Sequence, residues 1–109
     1  MIVDFSNIAE QSYPNFKGGE KALEARMYFD GKVRIMKGRL VPGASIGMHT
    51  HESNCEVVFI SKGNAKVKYN GEVIALPQGT CHYCPKGDTH SLYNDSDCDV
   101  EFTAVVPEQ

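Results

Sequence analysis

No run of apolar residues in this 109-residue chain approaches the ~20 needed to cross a bilayer as a helix, so a membrane is not an expected partner. Residues 1–7 hold neither a basic region nor a long apolar one, which argues against a secretory signal and for the cytoplasm. No segment concentrates positive charge. Eleven Lys and Arg are scattered among fourteen acids, for a net charge of -3. A duplex-binding protein needs a dense basic face to displace counterions, so nucleic acid is not an expected partner either. The four cysteines, Cys55, Cys81, Cys84 and Cys98, are too few and too isolated from a secretory context to suggest a disulfide framework. Internal repeats, low-complexity tracts and amphipathic helical stretches are also missing. At most one helical turn is expected, around residues 8–12.

What remains is a succession of short extended runs punctuated by Gly, Pro, Asn and Asp. Residues 1–22 read as an N-terminal extension and loop, with turn chemistry at Ser12-Tyr13-Pro14-Asn15 and Lys17-Gly18-Gly19-Glu20. Residues 23–109 read as one domain, with strands expected at 23–29, 32–41, 55–61, 65–69, 72–76, 80–84, 90–93 and 99–106. Short strands at near-regular spacing indicate an all-β sandwich or barrel. Ala65-Lys66-Val67-Lys68-Tyr69 alternates apolar with charged, as a strand with one wet face does. The following Asn70-Gly71 suits the two positive-φ positions of a type I′ hairpin. Val57-Val58-Phe59-Ile60 is apolar at four successive positions, as in a strand covered on both faces. The outer cover is either the N-terminal segment or a second copy of the chain, and the second option makes a homodimer the expected assembly.

Three of the four histidines stand with one glutamate in a patterned set. In His49-Thr50-His51 the two imidazoles share one face of an extended chain. Glu56 follows beyond a short loop, and His90 lies near the far end. Imidazoles plus a carboxylate suit a divalent transition metal and leave coordination positions free for a ligand. Spacing adds to this. Gly43, His49, His51, Glu56 and Gly63 are separated by five, one, four and six residues; Gly79, Pro85, Gly87, His90 and Asn94 by five, one, two and three.

These two motifs resemble those of the cupin superfamily, and the resemblance spans residues 40–106. It implies a double-stranded β-helix, or jelly-roll barrel, with His49, His51, Glu56 and His90 as ligands of one divalent ion: Zn, Mn, Fe, Ni or Co. It also implies a small polar or anionic molecule entering the barrel. The expected activity is metal-dependent isomerase- or lyase-type chemistry on a small sugar or hydroxy/keto acid. An iron-dependent dioxygenase and a non-catalytic metal- or small-molecule-binding protein are the alternatives. Met48, Arg39, His82 and Tyr83 are further candidates for the pocket lining, with Arg39 suited to an anion. Cys81-His82-Tyr83-Cys84 sits where relatives are usually aliphatic. On a strand, Cys81 and Cys84 face opposite sides and cannot share an ion. Either His82 with Cys84 or Cys81 with Tyr83 then faces the lumen.

Overall fold

The computed structural model describes all 109 residues. Ten strands follow one another: β1 (Gln11–Pro14), β2 (Ala22–Phe29), β3 (Val33–Leu40), β4 (His49–Thr50), β5 (Glu56–Lys62), β6 (Asn64–Tyr69), β7 (Glu72–Pro77), β8 (Cys81–Cys84), β9 (Thr89–Tyr93) and β10 (Val100–Pro107). They form a six-stranded antiparallel sheet, ordered β1-β2-β3-β10-β5-β8, facing a four-stranded one, ordered β4-β9-β6-β7. This is the jelly-roll barrel. No helix is long and apolar enough to cross a membrane.

The eight expected strands are all present, each within a residue or so of its expected ends. Three features differ, the first being the added two-residue strand β4 at His49–Thr50. The segment before residue 23 is not all loop, because β1 pairs with β2 from Gln11↔Ala25 to Pro14↔Ala22. Pro14 suggested a turn, but β1 is an edge strand, and an edge tolerates a residue without a backbone donor. The helical turn falls at Phe5–Asn7 rather than at residues 8–12, because Asp4 caps it by accepting a hydrogen bond from the Ser6 backbone N–H at 3.0 Å.

Alternation sets the core. Along β10, Val100, Phe102, Ala104 and Val106 point inward between half-buried Glu101, Thr103, Val105 and Pro107. Phe102 is fully buried, with its ring directly over Gly38 of β3; a Cβ on Gly38 would stand 2.3 Å from the ring. Leu23, Leu40, Val58 and Val67 complete the apolar centre. Burying a side chain of this size contributes about 1.5–3 kcal/mol, so the barrel is held mainly by this layer. The β6–β7 hairpin turns at Asn70 (φ 52) and Gly71 (φ 75), the two positive-φ residues that a type I′ turn requires.

The apolar run on β5 divides between two faces. Val58 and Ile60 enter the core, while Phe59 is 48% exposed and Val57 half-buried. The N-terminal segment covers only the neighbouring part of that outer face. There Arg26 donates to the Phe5 and Ile8 carbonyls, and Arg39 pairs with Glu10. Across the uncovered part, the register aligns Tyr83, Val57, Val105 and Ile35 in one outward row.

Candidate metal centre

The two sheets bring the patterned histidines and glutamate together. His49 on β4 is the register partner of His90 on β9. His51 follows β4 directly, and Glu56 opens β5 on the opposite sheet. The three imidazole rings form a near-equilateral triangle, with centroids 4.9, 4.7 and 4.8 Å apart. Glu56 Oε1 lies 2.9 Å from His90 Nε2 and 3.2 Å from His51 Nε2. All four donor atoms fall within 4.8 Å of one another.

Each imidazole is held from behind. His49 Nδ1 donates to the Gly47 carbonyl at 2.7 Å. His51 Nδ1 donates to Asn54 Oδ1 at 2.6 Å, and the Asn54 amide nitrogen is itself engaged with Glu108, which fixes its oxygen as the acceptor. His90 Nδ1 meets His82 Nε2 at 3.0 Å. With Nδ1 occupied outside, the Nε2 atoms face the common centre. Such outer bonds set tautomer and ring direction in metal-ligating histidines. Donor separations near 3 Å are also those of ligands roughly 2.1 Å from a shared ion. The residues fit a divalent transition metal.

The local chain explains this placement. Gly47 N–H donates to the Phe16 carbonyl at 3.0 Å, so residues 16–19 lie tightly against residues 45–47. A Cβ on Gly47 would stand 2.0 Å from the Lys17 carbonyl oxygen, and one on Gly19 2.1 Å from that of Ser45. Only glycine permits this approach, which clamps the strand leading to His49. On the other side, Ser53 and Asn54 both bond to Glu108, tying the loop between His51 and Glu56 to the C-terminal strand.

Electrostatics divides the four donors. Burial would push Glu56 up, but hydrogen bonds to His51 and His90 and their charge outweigh it and hold the carboxyl at about 2. The bond to Glu56 pushes His51 up. Burial pushes His49 down, towards the neutral form that a ligand needs. An ion arriving here competes with a proton on His51, not on Glu56.

A cavity of about 500 Å³ opens onto this centre, walled by Phe16, Met27, Arg34, Met36 and Ile46. None of the other expected pocket residues lines it. Arg39 points outward, bound to Glu10 at 2.9 Å and Asp99 at 3.6 Å, because the inward positions of β3 are Arg34, Met36, Gly38 and Leu40. Tyr83 is 54% exposed on the outer face. Met48, one residue from His49 and of opposite parity, is 53% exposed beside a separate surface hollow. His82 does face inward, but it stands behind His90 rather than in the cavity.

The parity left open on β8 is therefore His82 and Cys84 inward, Cys81 and Tyr83 outward. All four cysteines are free, with Cys81 exposed and Cys84 buried. His82, Cys84 and His90 make a second buried donor group. Burial first, then the negative charges of Glu56 and Asp88, push the Cys84 thiol up to about 12, so it packs as a neutral side chain. Asn54, Lys17 and Arg34 were missed in the sequence. They lie outside the spacing pattern and reach the site only through loop closure and strand parity.

Comparison with known proteins agrees with the geometry. Residues 25–106 match the family described as Cupin domain. The chain is 30% identical to an oxalate-binding protein of Thermotoga maritima, over 97% of this chain and 93% of that one. A crystal structure from the same organism, described as a predicted oxalate decarboxylase, superposes with a TM-score of 0.92 at 29% identity, over the whole of both chains. A sugar phosphate isomerase of the cupin superfamily from Silicibacter pomeroyi shares the fold, with a TM-score of 0.81 at 18% identity over all of this chain and 76% of that one. The motifs, the jelly-roll barrel and the match across most of its length make this chain a member of the cupin family.

Proposed function

We propose that the chain binds one divalent transition-metal ion through His49, His51, Glu56 and His90, and uses it to capture a small carboxylate of the oxalate or hydroxy/keto acid class. The observation that carries this reading is the convergence of three inward-facing imidazoles and one carboxylate beneath an open cavity. When bound, the ion supplies Lewis-acid attraction for carboxylate oxygens at its open positions. The chain's own residues orient the donors: Gly47 holds His49, Asn54 holds His51, and His82 holds His90. Met27, Met36 and Ile46 give the cavity an apolar wall beside the site. The Thermotoga relative named as oxalate-binding supports this ligand class.

The test is calorimetric titration of oxalate into protein loaded with Mn²⁺, Co²⁺ or Zn²⁺. One oxalate per chain is expected with metal and none after chelation. Equal binding with and without metal would contradict the reading. A lyase-type reaction at the same centre is the second reading, favoured by the similarity to the structure described as a predicted oxalate decarboxylase. It requires formate and carbon dioxide to accumulate from oxalate, and their absence alongside tight binding would leave a binding protein.

The assembly we propose is a homodimer in the cytoplasm, with a second copy covering the outward row of Tyr83, Val57, Val105 and Ile35 together with exposed Phe59. Sedimentation at micromolar concentration should give twice the 12.0 kDa chain mass. A single-chain mass would refute the dimer.

A further inference from the structure

Two cations in the cavity wall have no acidic partner. Arg34 lies on the inward face of β3, in register with Phe29 of β2 and Val106 of β10. Its guanidinium stacks 4.3 Å over the Phe29 ring, and one nitrogen lies 3.5 Å from Met27 Sδ. No carboxylate comes within ion-pair distance of it. Elsewhere on the same strand, Arg39 has two. Lys17 lines the same cavity, also without an acidic partner. It sits at φ 56, a left-handed backbone conformation that a residue with a side chain adopts only at a cost. The turn is fixed there by Gly18 N–H to the Asn15 carbonyl and by the contact of Phe16 with Gly47. Lys17 shares that cavity lining with His49, His51 and Glu56.

We infer that Lys17 and Arg34 form an anion subsite that selects dianionic ligands, receiving the carboxylate oxygens that the metal does not. This rests on the metal-dependent capture proposed above. Charge balance points to the same class. Glu56 cancels half of a divalent ion's charge, Lys17 and Arg34 add two positive charges, and exposed Glu52 on the wall removes one. The remaining two positive charges are cancelled by a dicarboxylate and only half cancelled by a monocarboxylate. Arg34 offers its planar donors to two oxygens at once, whereas Lys17 acts as a mobile point charge.

Oxalate and oxamate separate these contributions, because both chelate a metal through adjacent oxygens but oxamate carries one charge fewer. With the cobalt-loaded wild type, oxalate should bind more tightly than oxamate, and added salt should narrow the difference. Lys17→Gln and Arg34→Gln should each weaken oxalate about tenfold or more, as for loss of a charge-assisted bond. Both should leave metal content unchanged and oxamate within about threefold. Arg34→Lys, which keeps the charge but not the fork, should recover part of the oxalate preference. Arg39→Gln, on the outer face, should change neither ligand. If the Lys17→Gln/Arg34→Gln double variant keeps the wild-type ratio of oxalate to oxamate affinity, the subsite is refuted while metal-dependent capture stands. If the loaded wild type binds neither probe, the capture reading falls with it.

Discussion

His51→Ala is expected to strip the protein of its metal while leaving the barrel folded. Transition-metal sites of four protein ligands are worth about 10–16 kcal/mol in total, so one lost ligand weakens binding by roughly a hundredfold or more. The consequence extends beyond one donor. His51 holds Glu56 at 3.2 Å and contacts His90 Nε2 at 2.9 Å, so its removal loosens the two remaining buried donors. Core packing is separate from the site, and the β-type circular dichroism should survive. Metal analysis after dialysis should find about one equivalent in the wild type and little in the variant. Metal should raise the melting temperature of the wild type alone, by mass action on the folded state. The variant's stability should also depend less on pH in the acid range. Glu56, held at about 2, stabilises the metal-free fold above the ordinary carboxylate range, and this is lost as pH falls through the folded value. Without His51 one of the bonds holding it down is gone, the folded value moves back towards the ordinary one, and both this stabilisation and its loss in acid become smaller. A variant that retains a full equivalent of metal would contradict the ligand assignment; one that loses its β signal would make the metal site structural.

Phe102→Ala is expected to cause the largest loss of stability of any single truncation. Its ring is fully buried over Gly38, within the apolar cluster that includes Val58 and Ala104. Removing a buried aromatic of this kind costs about 3–5 kcal/mol, a large share of the 5–15 kcal/mol available to a small domain. For a domain of this size that lowers the melting temperature by about 12 °C or more. Denaturant titration with the slope held in common measures it directly. A loss below about 1 kcal/mol would mean that the β10 register is misassigned.

Much of this was legible in the sequence because it is local. Alternation, as in Ala65 to Tyr69, and the Asn70-Gly71 turn place strands without any knowledge of their partners. The spacing of His49, His51, Glu56 and His90 resembles the family's motifs closely enough to anticipate where the four side chains meet. What failed depends on pairing. On β3, Ile35, Lys37 and Arg39 form one face and Arg34, Met36, Gly38 and Leu40 the other. Each mixes apolar with cationic residues, so parity cannot be assigned from β3 alone. It is settled by Phe102, which reaches over Gly38 from a strand much later in the chain. The same holds on β8, where Cys84 pairs with Glu56 and thereby turns His82 inward. β1 was hidden by Pro14, a poor strand residue that an edge position accepts. Lys17 stood within apparent turn chemistry, and only the contact between Gly19 and Gly47 brings it to the cavity.

Anomalous diffraction from crystals grown with a divalent transition metal locates the ion directly. One strong peak per chain is expected, with the Nε2 atoms of His49, His51 and His90 and an oxygen of Glu56 each about 2.0–2.3 Å away. A peak that omits any one of these four, or a density elsewhere with this centre empty at saturating metal, would contradict it.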